Sequence, residues 1–204
     1  MTEDIYIFKY SLQSNNTMIE DINKALEVLN EGGTILYPTD TIWGIGCDAT
    51  NETAVKKVYK IKKRTDSKSM LVLVDDLKMI KDYVKAIPDT IPKILERGNK
   101  PLTIIYPGAR NLASSLISSD GSIGIRIVND EFCVRLISEF KRPVVSTSAN
   151  ISGYPSPGNF NDIDAEIFKN VDYIVRWRQD DNAQNKPSGI IKIGKNGEVE
   201  VIRK

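Results

Sequence analysis

Short β-rich runs alternate along this chain with amphipathic helical stretches, and that alternation restricts the possible folds more than any other feature. A capping box at Thr17-Met18-Ile19-Glu20 opens a helical pattern that places Ile22, Ala25, Leu26 and Leu29 on one face and stops at Gly32-Gly33. Thr34-Ile35-Leu36-Tyr37 then reads as a strand, Pro38-Thr39-Asp40-Thr41 as a polar turn, and Trp43, Gly44 and Gly46 mark a second strand. Asn51 or Thr50 caps a helix through Ala54, Val55, Val58, Tyr59 and Ile61, whose end carries Lys60, Lys62, Lys63 and Arg64. Strands are predicted at Met70 to Val74, Leu102 to Tyr106 and Ile123 to Val128, separated by helices opening at Asp76 and Pro88 and a short apolar helix around Leu112 and Leu116. Asp130 opens a helix leading to the run Val144-Val145. After it come a helical stretch near Ile163 and Phe168, a strand at Tyr173-Ile174-Val175 and a polar loop from Arg178 to Lys186. Asn196-Gly197 between two apolar runs predicts a closing hairpin. With no internal repeat or linker, residues 1–204 read as a single α/β domain: a twisted mixed β-sheet flanked by helices.

Directly after Val144-Val145 stands Ser146-Thr147-Ser148-Ala149-Asn150-Ile151-Ser152-Gly153, a run of hydroxyls and an amide. A polar turn after a strand is where ligands bind in α/β sheets, and it is also what ordinary turn chemistry uses. Lys62, Lys63 and Arg64 complement a helix dipole or form an anion site; with Lys68 they span the link from a helix to a strand. Arg126 sits inside an apolar strand, which costs free energy unless the cation is paired, faces a ligand or snorkels to solvent.

Histidine is absent, which removes the Ser-His-Asp triad, the Cys-His dyad and histidine metal sites together. Lys and Arg (28) nearly balance Asp and Glu (27), so no global charge draws the chain to nucleic acid or membrane. Cys47 and Cys133 lie far apart, without metal-site spacing, and suit a reducing compartment as core thiols. The acidic Met1-Thr2-Glu3-Asp4 start and the lack of a membrane-length apolar run predict a cytoplasmic protein.

Taken in order, Tyr37-Pro38-Thr39-Asp40-Thr41 with Trp43-Gly44, the K-x-R of Lys62 and Arg64, Gly124-Ile125-Arg126, the S-x-N of Ser148 and Asn150, and Pro187-Ser188 resemble the YrdC-like threonylcarbamoyl-adenylate synthase family. The likeness runs from about Gly33 to Arg203 and matches the short, single-domain form. It implies a nucleotidyltransferase that condenses L-threonine, bicarbonate and ATP to threonylcarbamoyl-adenylate and pyrophosphate, for threonylcarbamoyl modification of tRNA adenosine beside the anticodon. By the resemblance, Lys62, Arg64, Ser148 and Asn150 carry catalysis, and Arg64, Lys68, Ser122, Ser146, Ser148, Asn150, Ser156 and Arg203 hold ATP. Thr41, Arg126 and Ser188 match the positions that recognise threonine. Mg²⁺ is expected with the nucleotide, tRNA and the downstream threonylcarbamoyl-transfer proteins as partners, and no protein metal site. The chain departs from the family's pattern at Ser69, at Gly98 to Thr103 and at Val128, none of which removes a charged ligand, and at Leu73, where some relatives place a histidine near the amino acid.

Two other readings compete. YciO-like paralogues share the scaffold but typically lose the K-x-R and S-x-N residues, both present here. A tRNA- or RNA-binding module could use Lys56, Lys57, Lys60, Lys62, Lys63 and Arg64 as a phosphate patch, but that explains neither Thr41, Arg126 nor the S-x-N turn.

Overall fold

A computed structural model describes residues 2–64, 70–98, 100–194 and 197–204, the side chains of residues 2–15 and 97 excepted. The helices are α1 (Thr2–Asn30), α2 (Glu52–Ile61), α3 (Leu77–Tyr83), α4 (Thr90–Arg97), α5 (Glu131–Phe140) and α6 (Ala165–Asn170). The strands are β1 (Ile35–Tyr37), β2 (Gly44–Gly46), β3 (Leu71–Val74), β4 (Leu102–Tyr106), β5 (Ile123–Ile127), β6 (Val144–Ser148), β7 (Tyr173–Ile174), β8 (Gly189–Ile193) and β9 (Val199–Arg203). They form a nine-stranded sheet in the order β7-β1-β2-β6-β3-β5-β4-β8-β9. It is mixed: β1/β7, β3/β5 and β4/β8 pair in parallel and the remaining neighbours antiparallel.

Register decides which side chains share a face, because successive residues of a strand point to opposite sides. Gly44 lies opposite Ser148, Leu71 opposite Ser146, Leu73 opposite Arg126, Ile105 opposite Gly124 and Thr103 opposite Ile190. These residues therefore line up on one side of the sheet. The alternate residues, among them Ile45, Val72, Ile125, Val145 and Ile104, are almost fully buried and face the other side. Helix α1 packs on α5, and α3 and α5 pack on β3. The two cysteines are buried, free thiols.

The local signals were mostly as predicted. Asn51, Asp76 and Asp130 each accept backbone N–H groups at the start of their helices. Three differences stand out. Helix α1 runs from Thr2, so Thr17 lies inside it rather than at its cap; no glycine or proline interrupts residues 1–31, and nothing there breaks the backbone ladder. Strand β6 continues through Ser148, because pairing with Leu71 and Gly44 supplies ladder partners that outweigh the turn preference of serine. The closing hairpin exists, with Gly197 at φ +87° and Ile193 paired with Val199, so its second strand begins one residue later than the run from Glu198; Asn196 itself lies outside the described residues.

Candidate active site

The K-x-R spacing acquires its meaning from how α2 ends. Lys63 adopts a left-handed backbone (φ +49°), its N–H donates to Lys60 O and that of Arg64 to Tyr59 O, the paired bonds of a Schellman motif. That reversal sends the two flanking cations to different places. Lys62, 2% exposed, turns inward and donates to Ser148 O (2.5 Å), Asn150 O (2.7 Å) and Asn150 Oδ1 (3.4 Å). Burial, and then the nearby Arg64 charge, push its ammonium down to about 7, against three oxygens that hold the proton. Arg64, half-buried, lines a cavity of about 220 Å³ instead.

That cavity lies against the sheet face defined above, rather than in a turn beyond a strand end. Gly44 and Ser146 leave room for it: a side chain at Gly44 would begin 3.2 Å from Ser146 Oγ. Thr41, Arg64, Arg126, Ser146, Ser148, Ser156, Ser188 and Arg203 all line it, so the structure unites eight of the residues singled out in the sequence. Asn150 does not join them. Its amide donates to Ile151 O and Tyr154 O and, with Lys62, shapes the turn behind Ser148. Ser122 lines an adjoining groove of about 960 Å³ that shares Met70, Leu71 and Ile190 with the cavity; its hydroxyl donates to Asp120 Oδ1 at 2.6 Å. Lys68 and Ser69 lie outside the described residues, as does Asn99.

Arg126 does not snorkel. At 3% exposure its Nη2 reaches Asp40 Oδ1 at 3.1 Å and Thr39 Oγ1 at 3.5 Å, while its buried Nε–H has no hydrogen-bond partner among the described residues. Burial raises the Asp40 carboxyl and Arg126 opposes that rise. Arg203, at the rim, donates to Ser188 O at 2.9 Å, and burial together with the Arg126 charge lowers its pKa; burial lowers that of Arg64 too. None of the described residues lining the cavity is acidic. Three guanidinium groups converge on a site with one carboxylate behind it, which is the electrostatic signature of an anion site.

Sequence reasoning quoted Thr39 and Asp40 as part of a motif but gave them no role. It missed Thr103, whose hydroxyl meets Ser188 Oγ at 2.8 Å. Trp43, quoted in the same motif without a role, packs its ring 4.8 Å from that of Phe160. The hydroxyl-carboxylate-hydroxyl run Thr39-Asp40-Thr41 after a buried strand was the available signal.

The family model for Sua5/YciO/YrdC, described as telomere recombination, matches residues 27–204. The chain belongs to this family. A putative threonylcarbamoyl-AMP synthase of Methanocaldococcus jannaschii is 37% identical over 190 residues, 93% of this chain and 86% of that protein. The threonylcarbamoyl-AMP synthase of Escherichia coli K12 is 31% identical over 160 residues, 76% of this chain and 83% of that one. Among solved structures, P. abyssi Sua5 complexed with L-threonine superimposes with a TM-score of 0.74 at 24% identity, covering 84% of this chain and 50% of the Sua5 chain. E. coli YciO gives a TM-score of 0.77 at 23% identity, covering 90% of this chain and 88% of YciO. At that identity both likenesses establish the Sua5/YciO/YrdC fold alone, and this chain spans about half the length of P. abyssi Sua5.

Proposed function

We propose that this protein is a threonylcarbamoyl-AMP synthase, a nucleotidyltransferase that condenses L-threonine, bicarbonate and ATP. The observation that carries the reading is the convergence of Arg64, Arg126 and Arg203 on one cavity with no acidic residue among the described ones that line it. The names of the M. jannaschii and E. coli relatives support it.

In this reading Arg126 takes the threonine carboxylate through its guanidinium, with Thr41 and Ser188 beside the amine and side chain. Bicarbonate yields carbon dioxide and hydroxide; the free threonine amine adds to the carbon dioxide and its proton passes to the hydroxide as water, leaving a carbamate. A carbamate oxygen then attacks the α-phosphorus of ATP as the bond to pyrophosphate breaks. Substrate supplies both nucleophiles, so a chain without histidine loses nothing. Arg64, Arg203, Ser148 and Ser156 hold the phosphates and spread the charge that builds at the reacting phosphorus. The adjoining groove, lined by Ser122, receives the nucleoside. Lys62 and Asn150 act one layer behind, by fixing Ser148.

The donor set fits magnesium that arrives on the nucleotide. No group of three acidic or cysteine side chains with metal-site geometry occurs among the described residues, and Ser148 and Ser156 offer neutral oxygens only. The ion would be held chiefly by phosphate oxygens and water and would neutralise phosphate charge. The product would pass to threonylcarbamoyl-transfer proteins acting on tRNA, in the cytoplasm; no helix among the described residues is long and apolar enough to cross a membrane.

A purely RNA-binding role fits the α2 face poorly. Lys56 pairs with Glu52, Lys63 with Glu166, Lys57 donates to Gly32 O, and Lys62 is buried. The deciding measurement is pyrophosphate release by the full chain with ATP, Mg²⁺ and bicarbonate, comparing L-threonine with L-serine, L-valine and no amino acid. Release that needs both bicarbonate and threonine, with threonylcarbamoyl-adenylate seen by mass spectrometry, is the expected result. ATP binding without any amino-acid-dependent release would move the chain to the YciO-like reading.

A further inference from the structure

Counting protons shows that the hydroxyls of the threonine pocket are not interchangeable. Thr39 Oγ1 lies 2.8 Å from Ile42 O, a carbonyl that can only accept, so the Thr39 proton is committed there. Thr41 Oγ1 lies 2.9 Å from the same Thr39 oxygen. With the Thr39 proton already used, Thr41 is the donor of that bond. The Thr41 backbone N–H adds a third contact to this oxygen at 3.1 Å, and Arg126 Nη2 a fourth and longer one at 3.5 Å. Thr41 lines the cavity, so what its hydroxyl offers to a ligand is lone pairs. Arg126, which lines the same cavity, offers the opposite: Nη2 is engaged by Asp40 and Thr39, and a guanidinium can only donate.

We propose that Thr39 is a positioning residue that sets the polarity of the pocket. By drawing the Thr41 proton inward it makes Thr41 an acceptor facing the donor Arg126. The ligand that satisfies both carries an anionic acceptor and, a few bonds away, an N–H or O–H donor. A β-hydroxy-α-amino acid has this chemistry: carboxylate to Arg126, ammonium or hydroxyl to Thr41. This rests on the threonine reading and deepens it, because it assigns the direction of each hydrogen bond and a residue that enforces it. Without the Thr39 oxygen, the Thr41 proton is free to swing into the cavity, where it meets a ligand proton instead of accepting one.

The test is calorimetric binding to the full chain of L-threonine, L-2-aminobutyrate, which lacks the hydroxyl, and 3-hydroxybutyrate, which lacks the amine. Wild type is compared with Thr39→Val and Thr39→Ser, with ATP binding and circular dichroism measured alongside. Loss of one hydrogen bond predicts that Thr39→Val weakens L-threonine binding about tenfold and that Thr39→Ser restores it to within about twofold. The analogue lacking the group that donates to Thr41 should bind wild type and Thr39→Val alike. Equal threonine binding by wild type and Thr39→Val overturns the inference alone. So does an equal loss for all three ligands, which general loosening of the loop would produce. Wild-type protein that binds ATP but none of the three overturns the threonine reading, and this inference with it.

Discussion

The Lys62 ammonium lies 2.7 Å from Asn150 O and 3.4 Å from Asn150 Oδ1, and Ser148 O takes its third proton. K-x-R and S-x-N are thus one unit, in which Lys62 holds the turn from behind while Arg64 faces the cavity. Replacing Lys62 with methionine fills similar space but strands Asn150 O, while Ser148 O keeps only the Asn150 N–H at 2.8 Å. Lys62→Met should cost about 2–3 kcal/mol in urea unfolding, the scale of buried polar groups left unsatisfied. Pyrophosphate release should fall as Ser148 loosens, while ATP affinity changes less than it does on loss of Arg64.

Arg64 stands at the cavity and outside the hydrophobic core, so its loss separates function from folding. Removal of one preorganised donor of this kind typically costs two to three orders of magnitude in turnover. Arg64→Ala should lower pyrophosphate release by about 10²–10³-fold and shift the thermal midpoint by only about 2–4 °C, as expected of a change of about 1 kcal/mol or less outside the core. Near-normal turnover in this variant would show that the phosphate site is misplaced.

These two cations show how much of the site was legible in residue order. Charge, spacing and the neighbouring elements marked Lys62 and Arg64, yet their division of labour depends on the left-handed Lys63, a conformation that a lysine does not announce. Ser146 and Ser148 were visible as ligand candidates but expected in a turn. Only their pairing with Leu71 and Gly44, residues distant in the chain, makes them a strand face. Helices with a sharp cap, such as the one Asp130 opens, could be read from a handful of adjacent residues. The support of Arg126 by Asp40 could not, because it joins residues that no local pattern relates.

That pair supplies a stability prediction. Both side chains are more than nine-tenths buried, and Asp40 also accepts from Asn129 N–H at 3.3 Å. Removing the acid leaves a cation without its counter-charge, which costs more than the pair itself contributes. Asp40→Ala should therefore destabilise by about 3 kcal/mol in urea unfolding. L-Threonine, whose carboxylate supplies a replacement anion, should recover part of the loss. A variant as stable as wild type would mean that Arg126 is already neutralised by other groups.

Asp120 provides the pH-dependent case. It accepts from Lys192 Nζ at 2.7 Å and from Ser122 Oγ at 2.6 Å, and these bonds lower its carboxyl to about 2 from an ordinary 3.8. A folded-state value below the unfolded one means that the carboxylate stabilises the fold fully above about pH 4 and loses that contribution as pH falls through about 2. The side chain is about half exposed (48%), so solvent screening holds the effect to about 1 kcal/mol. Asp120→Asn should be less stable than wild type by that amount at neutral pH, with the gap closing as acid unfolding is followed to pH 2. Because Ser122 lines the groove proposed for the nucleoside, the same substitution should weaken ATP binding several-fold, and added salt should narrow the stability gap through the Lys192 pair. A gap that stays constant down to pH 2 would assign the loss to packing rather than charge.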